Sequence, residues 1–191
     1  SNTTRERLLE AGLSMLLERG YNDLGIQDLL SATGTPKGSF YHHFKSKEDF
    51  ALQVVDLYMI GVHAHLDAAL LDRSNAPLDR VRAFFEGTRD TYVAQGSLGC
   101  LLGALGQELS GVSETFRLKI SSCLAAVALR IAACLREAQE QGDLPPVADP
   151  ELMANVLVDC WEGAALRMRL VRNVSPLEAV LNFYFRSVAA A

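Results

Sequence analysis

Lys37, Lys45 and Lys47 stand with His42 and His43 in a stretch, Leu29 to Lys47, that holds no Asp or Glu. Ammonium and imidazole groups without a competing carboxylate form a patch that faces anions, and a phosphate backbone answers to such a local field. A second chemistry is offered by Cys100, directly after Gly99 and within the first turn of an expected helix. Helix N-terminal amides stabilise a thiolate and raise its reactivity toward electrophiles or oxidants, provided the sulfur is reachable. Cys100 reads equally well as a small buried hydrophobe, the usual fate of a free thiol.

The remaining composition limits what these groups can serve. A chain of 191 residues, 49% hydrophobic and 21% charged, suits a globular protein with a buried core. The net charge of -5 argues that any nucleic-acid footprint is local. The longest uncharged run, Thr91 to Gln107, contains Gln95, Ser97 and several glycines, so no membrane span is expected. The N-terminus lacks a basic-then-apolar leader, which predicts a cytoplasmic protein, and Ser1 and Asn2 read as a cloning remnant. Cys100, Cys123, Cys134 and Cys160 show neither a CxxC pair nor zinc-finger spacing, so reduced thiols are expected and no cofactor or metal. His63 and Asp67 share a helix face, but two ligands do not make a metal site.

The elements that must position the patch follow from caps and periodicity. Thr3 and Glu6 have capping-box spacing, and Leu9, Leu13, Leu16 and Leu17 continue an amphipathic helix to Gly20. Ile26, Leu29 and Leu30 line a second, short helix closed by Gly34. Thr35 as N-cap with Pro36 at N1 predicts a third helix to about His43, with Phe40 and Phe44 inward and Lys37, Ser39, Tyr41 and His42 outward or flanking. Two short helices across a Gly turn, braced by a longer one, match a helix-turn-helix whose second helix enters the major groove. Ser46 with Asp49 then caps a long fourth helix, whose start beside Lys45 and Lys47 favours a phosphate. Pro77, Ser113, Pro150 and Pro176 open further apolar-periodic segments, giving about five more helices and no strand signal.

The run Phe40, Tyr41, His42, His43, Phe44, Lys45, Ser46, Lys47, Glu48 resembles the TetR family of transcriptional regulators. The resemblance implies an all-α protein: a three-helix DNA-binding head with the helix-turn-helix at 1–50, then a helical effector-binding and dimerisation domain at 51–191. It implies a homodimer on a double-stranded, inverted-repeat operator, released when a small-molecule effector binds. By the same resemblance Gln27, Thr35, Pro36, Lys37, Ser39 and His42 face base edges or nearby backbone, and Tyr41, Lys45 and Lys47 hold phosphates. Gly25 departs from the family pattern, which often places a capping, phosphate-touching Ser or Thr there.

Gly99-Cys100-Leu101 and Trp161-Glu162-Gly163-Ala164 also resemble the NemR-like and AcuR-like subgroup of these regulators, which answers reactive electrophiles or acrylate. That adds an effector or sensor set of Cys100, Gly103, Gln107, Trp161 and Arg169, with Arg167 or Arg169 as the cation beside a thiolate. Gly99, Gly103 and Gly106 form a side-chain-free stripe that admits either a neighbouring helix or a ligand. Cys123, Cys134 and Cys160 lie on apolar stripes and are expected to pack in the core. Val156, Cys160, Gly163 and Ala164, then Leu177, Leu181 and Tyr184, are expected to build an isologous dimer contact. Two alternatives stay open: a regulator with a non-covalent ligand and a structural Cys100, and a cysteine-dependent small-molecule enzyme or carrier.

Overall fold

The computed structural model describes residues 3–189, over which the chain is helical; Ser1 and Asn2 lie outside them. The elements are α1 (Thr4–Arg19), α2 (Ile26–Thr33), α3 (Lys37–His43), α4 (Lys47–Leu70), α5 (Pro77–Ala94), α6 (Leu101–Leu109), α7 (Glu114–Glu140), α8 (Pro150–Val171) and α9 (Ser175–Ala189). The all-helical expectation holds, and so do most of its boundaries.

Local chemistry sets those boundaries. The Thr3 hydroxyl accepts from the Glu6 amide at 3.2 Å and Glu6 accepts from the Thr3 amide at 2.7 Å, a complete capping box. Gly34 closes α2 in the left-handed region at φ 62°. Ser46 accepts from the Asp49 amide at 3.0 Å, while Asp49 accepts from the Lys45 amide at 2.8 Å. Asp149 accepts from the Leu152 amide at 3.1 Å, with Pro150 opening α8.

The described chain divides into two compact units. One joins the chain up to Gly61 with Leu101–Ile120, so that α6 packs on α1 and belongs with the head. Its core holds Phe40, Phe44 and Phe50, all essentially solvent-free, with ring centroids 4.9–5.4 Å apart. The other unit comprises Val62–Cys100 and Ser121 onward, where α9 packs on both α8 and α5. In it Trp161 stacks on Phe85 at 4.9 Å, and the buried Arg80 donates to the Leu70 carbonyl at 2.7 Å and to Glu137 at 2.6 Å.

Helix α7 is long and apolar enough to cross a membrane by length and composition alone. Its stripe Phe116, Ile120, Cys123, Val127, Ile131 and Cys134 is buried in this fold, which accounts for its hydropathy as core.

Within the first unit, Glu108 near the end of α6 accepts from the backbone amides of Tyr21 at 2.8 Å and Asn22 at 2.7 Å. The carboxylate reaches them only because residue 20 is glycine. Gly20 has φ 81° and ψ -178°, a region open to glycine alone, and an added Cβ would lie 2.6 Å from Glu108 Oε2. Gly20→Ala is therefore expected to destabilise the protein by about 1–3 kcal/mol through strain and the loss of this clasp. A urea titration checks it, and an unchanged midpoint would refute the clasp.

Candidate nucleic-acid interface and thiol site

Helix α3 is amphipathic because Phe40 and Phe44 lie one turn apart and both are buried. That fixes the opposite face outward: Lys37, Tyr41 and His42 are exposed, Tyr41 by 51%, and Ser39 is half-buried. Tyr41 rests edge-on against Phe40 at 5.2 Å, which aims its hydroxyl outward from a fixed base. Gln27 from α2, Pro36 from the turn and Lys37 from the start of α3 line a shallow groove of about 370 Å³ with Leu30, Ser31, Gly34 and Thr35.

The N-cap of α3 falls on Pro36, without a side-chain cap bond, rather than on Thr35. Thr35 is 6% exposed and its hydroxyl accepts from Thr33 Oγ1 at 2.9 Å. The pair ties the end of α2 to the turn, so the hydroxyl serves the turn instead of the helix start. Gly25 precedes α2 likewise without a side-chain cap.

Lys45 is exposed beside the start of α4. Lys47 is half-buried, with Nζ 4.5 Å above the Tyr21 ring. Burial under that ring draws its ammonium below the usual lysine range, against the opposing pull of Glu108 and Asp23. Lys47 thus helps hold the loop between α1 and α2 while remaining at the edge of the patch.

In the second unit, Cys100 is 8% exposed and immediately precedes α6. Gly99 has φ 79° and stands outside the helix, so the glycine spacing expected at 99, 103 and 106 is not one helical stripe. Its role is close approach: a Cβ there would lie 3.2 Å from the Ala165 carbonyl of α8. This brings Cys100 beside the turn of α8 that carries Glu162, and its thiol lies close enough to act on the Glu162 carboxyl. Glu162 Oε2 is shut off from solvent and has no hydrogen-bond partner among the described residues. Burial, opposed by the neighbouring Cys100 thiol and reinforced by Asp159, pushes the Glu162 carboxyl up to about 7.

Trp161 is 3% exposed and stacks on Phe85 and Tyr92, while Arg169 is half-buried near the end of α8. Gly103 is half-buried and Gln107 exposed, both on α6 in the first unit. Sequence reasoning passed over Glu162 and Glu108. The available signal for Glu162 was an acid flanked by Trp161 and Ala164 on an otherwise apolar face.

None of the four cysteines is in a disulfide. Cys123 and Cys134 are buried as expected, and Cys134 donates to the Pro77 carbonyl at 3.3 Å. Cys160 is exposed, contrary to the packing expected of it, and so are Val156 and Gly163 of the same stripe. Ala164, Leu177 and Leu181 are buried, and Tyr184 donates to the Met153 carbonyl at 3.1 Å. The expected dimer stripe therefore splits into an inner set and an outer one. His65 bonds to the Phe84 carbonyl and Asp67 pairs with Arg130; no group of three His, Cys, Asp or Glu suited to a metal occurs among the described residues.

A short exposed helix held by two buried phenylalanines, following a tight glycine turn, defines a helix-turn-helix DNA-binding protein. Residues 8–54 match the family model described as bacterial regulatory proteins, tetR family, and residues 77–184 match the one described as tetracyclin repressor-like, C-terminal domain. The chain belongs to the TetR family of DNA-binding transcriptional regulators, which are not enzymes. It is 37% identical to the transcriptional regulator AcuR of Cereibacter sphaeroides over 97% of this chain and 85% of that protein. It is 35% identical to the repressor DhaR of a Mycobacterium species, covering 96% and 91%, and 32% identical to the repressor NemR of Escherichia coli, covering 93% and 90%. Among solved structures it is similar to a regulatory protein TetR from Rhodobacter sphaeroides, with TM-score 0.92, 37% identity and coverage of 97% and 98%. It is also similar to the reduced form of E. coli NemR, with TM-score 0.87, 32% identity and coverage of 95% and 94%.

Proposed function

We propose that the protein is a cytoplasmic homodimeric repressor that leaves an inverted-repeat operator when a reactive electrophile modifies Cys100. Binding to DNA runs through the exposed face of α3, with Lys37, Ser39 and His42 toward base edges, and Tyr41, Lys45 and the N-terminal turn of α4 toward phosphates. Gln27, Pro36 and the backbone around Thr35 line the flanking groove.

The observation that carries the sensor reading is the position of Cys100. It immediately precedes α6, a short helix whose last turn carries Glu108, and the Glu108 carboxylate grips the loop between α1 and α2. A modified thiol at the start of α6 and a clasp near its end give an adduct a way to bias the head. An adduct acts only through its different affinity for the DNA-binding and non-binding states, and moving most of the protein takes several kcal/mol of that difference. Repression follows DhaR and NemR, which are both described as repressors, and the description of a NemR structure as its reduced form supports thiol chemistry here. Leu152, Val156, Leu166 and Leu170 of α8 and Phe183 of α9 are exposed apolar residues, and they suit an isologous contact on the two-fold axis that an inverted repeat demands.

Cys100→Ser is expected to keep operator affinity within about two-fold while losing release by N-ethylmaleimide, read by fluorescence anisotropy of a labelled operator fragment. Full release in that variant would hand the sensor role to a non-covalent effector.

A further inference from the structure

The Glu162 carboxyl, whose Oε2 is enclosed without a hydrogen-bond partner among the described residues, has no part in an account that stops at Cys100, yet the thiol lies close enough to act on it. An acid is costly to enclose, and an enclosed oxygen without a donor is costlier still, so such a group is retained where chemistry uses it. Resting on the sensor reading, we infer that Glu162 is the proton acceptor that makes Cys100 reactive toward uncharged, activated alkenes such as enones and maleimides.

The geometry assembles the pair from both sides. Gly99, lacking a Cβ, lets the chain press against the Ala165 carbonyl, and the next residue then reaches Glu162 one turn back along α8. Glu162 Oε2 is shut off from solvent with its lone pairs unused, and the thiol lies close enough to act on that carboxyl, so a proton acceptor stands beside Cys100 before any electrophile arrives. In the addition, the Cys100 sulfur forms a bond to the β-carbon as its proton passes to Glu162. The alkene π pair moves to the α-carbon and carbonyl as an enolate. Glu162 then returns the proton to the α-carbon, leaving a thioether and a carboxylate, with no oxidant or other reactant consumed.

Charge explains why this route suits the site. A thiolate formed by losing its proton to water would be a second anion beside a buried carboxylate. Transfer within the pair keeps one negative charge throughout, on oxygen before and on sulfur or enolate after. An electrophile carrying its own carboxylate would bring a second anion into that enclosure and be disfavoured. The titratable groups acting on Glu162 are Cys100 from the segment before α6 and Asp159 one turn earlier on α8; both are close enough to influence it.

The test follows N-ethylmaleimide addition to the full-length protein by peptide mass mapping across pH, in wild type, Glu162→Gln and Glu162→Asp. N-Acetylcysteine in the same reaction serves as the reference thiol for the reagent, and far-UV circular dichroism of each variant reports the fold. Glu162→Gln is expected to slow Cys100 by at least ~10-fold near neutral pH, a modest loss for a positioned base, with the reference thiol and the fold unchanged. The wild-type rate should level off above the Glu162 ionisation, whereas the Gln variant keeps rising with pH as a solitary thiol does. Glu162→Asp should recover part of the rate, and a carboxylate-bearing maleimide should lower the rate at Cys100 relative to the reference thiol in wild type. An unchanged Cys100 rate and pH profile in Glu162→Gln overturns the role of Glu162 and leaves the sensor reading standing. Wild-type Cys100 that stays unmodified while the reference thiol reacts overturns both.

Discussion

Phe40→Ala is expected to cost about 3–5 kcal/mol of stability and to abolish operator binding. Helix α3 has seven residues, too few to persist without tertiary support. Its single fully buried anchor is Phe40, whose ring meets Phe44 at 5.2 Å, Phe50 at 5.4 Å and Tyr41 at 5.2 Å. Removing it leaves a cavity beneath the helix that is to lie in the major groove and frees Tyr41 from the surface that orients it. Urea unfolding followed by far-UV circular dichroism measures the loss. A cost below about 1 kcal/mol would mean that the aromatic cluster does not hold α3.

The second large effect concerns Glu162 and runs opposite to the ordinary behaviour of a carboxylate. Burial raises its ionisation from 4.5 to about 7, so the folded state binds the proton more tightly than the unfolded chain. Stability is therefore fullest below the unfolded value, falls as pH rises from 4.5 to about 7, and is level above that. Glu162→Gln removes this dependence. The variant is expected to exceed wild type by roughly 2–3 kcal/mol near pH 8 and to match it closely near pH 4.5. Urea midpoints at the two pH values provide the comparison, and a difference that does not change with pH would mean the carboxyl titrates normally.

The contrast between what was legible and what was not follows the range of the interactions. Thr3 with Glu6, Gly20, Gly34, Ser46 with Asp49 and Pro150 act within one helical turn, so the chain displays them and the helices begin and end beside them. Phe40 and Phe44 disclose the inner face of α3 by spacing alone. The N-cap at Pro36 was less visible, because Thr35 is drawn into a hydrogen bond with Thr33 that competes with capping. Val156 and Cys160 have the spacing of a packed stripe, yet they are exposed. Periodicity marks an apolar face without saying whether the covering partner is the same chain.

Glu108 and Glu162 were hidden for a different reason. Glu108 meets Tyr21 and Asn22 across most of a hundred residues, with sequence separations of 87 and 86. Glu162 meets Cys100 only because Gly99 admits the close approach to α8. No local rule pairs an acid with a thiol or an amide that far away.

The account depends most on the exposed face of the head touching DNA. The direct measurement is anisotropy of a labelled operator fragment, titrated over a range of salt with wild type and Lys45→Ala. Wild type should bind with a steep salt dependence, and Lys45→Ala should bind more weakly on every sequence, with the slope of log affinity against log salt reduced by about one. Equal affinity and equal slope in the two proteins would contradict the phosphate contact and the docking of α3 and the start of α4 built on it.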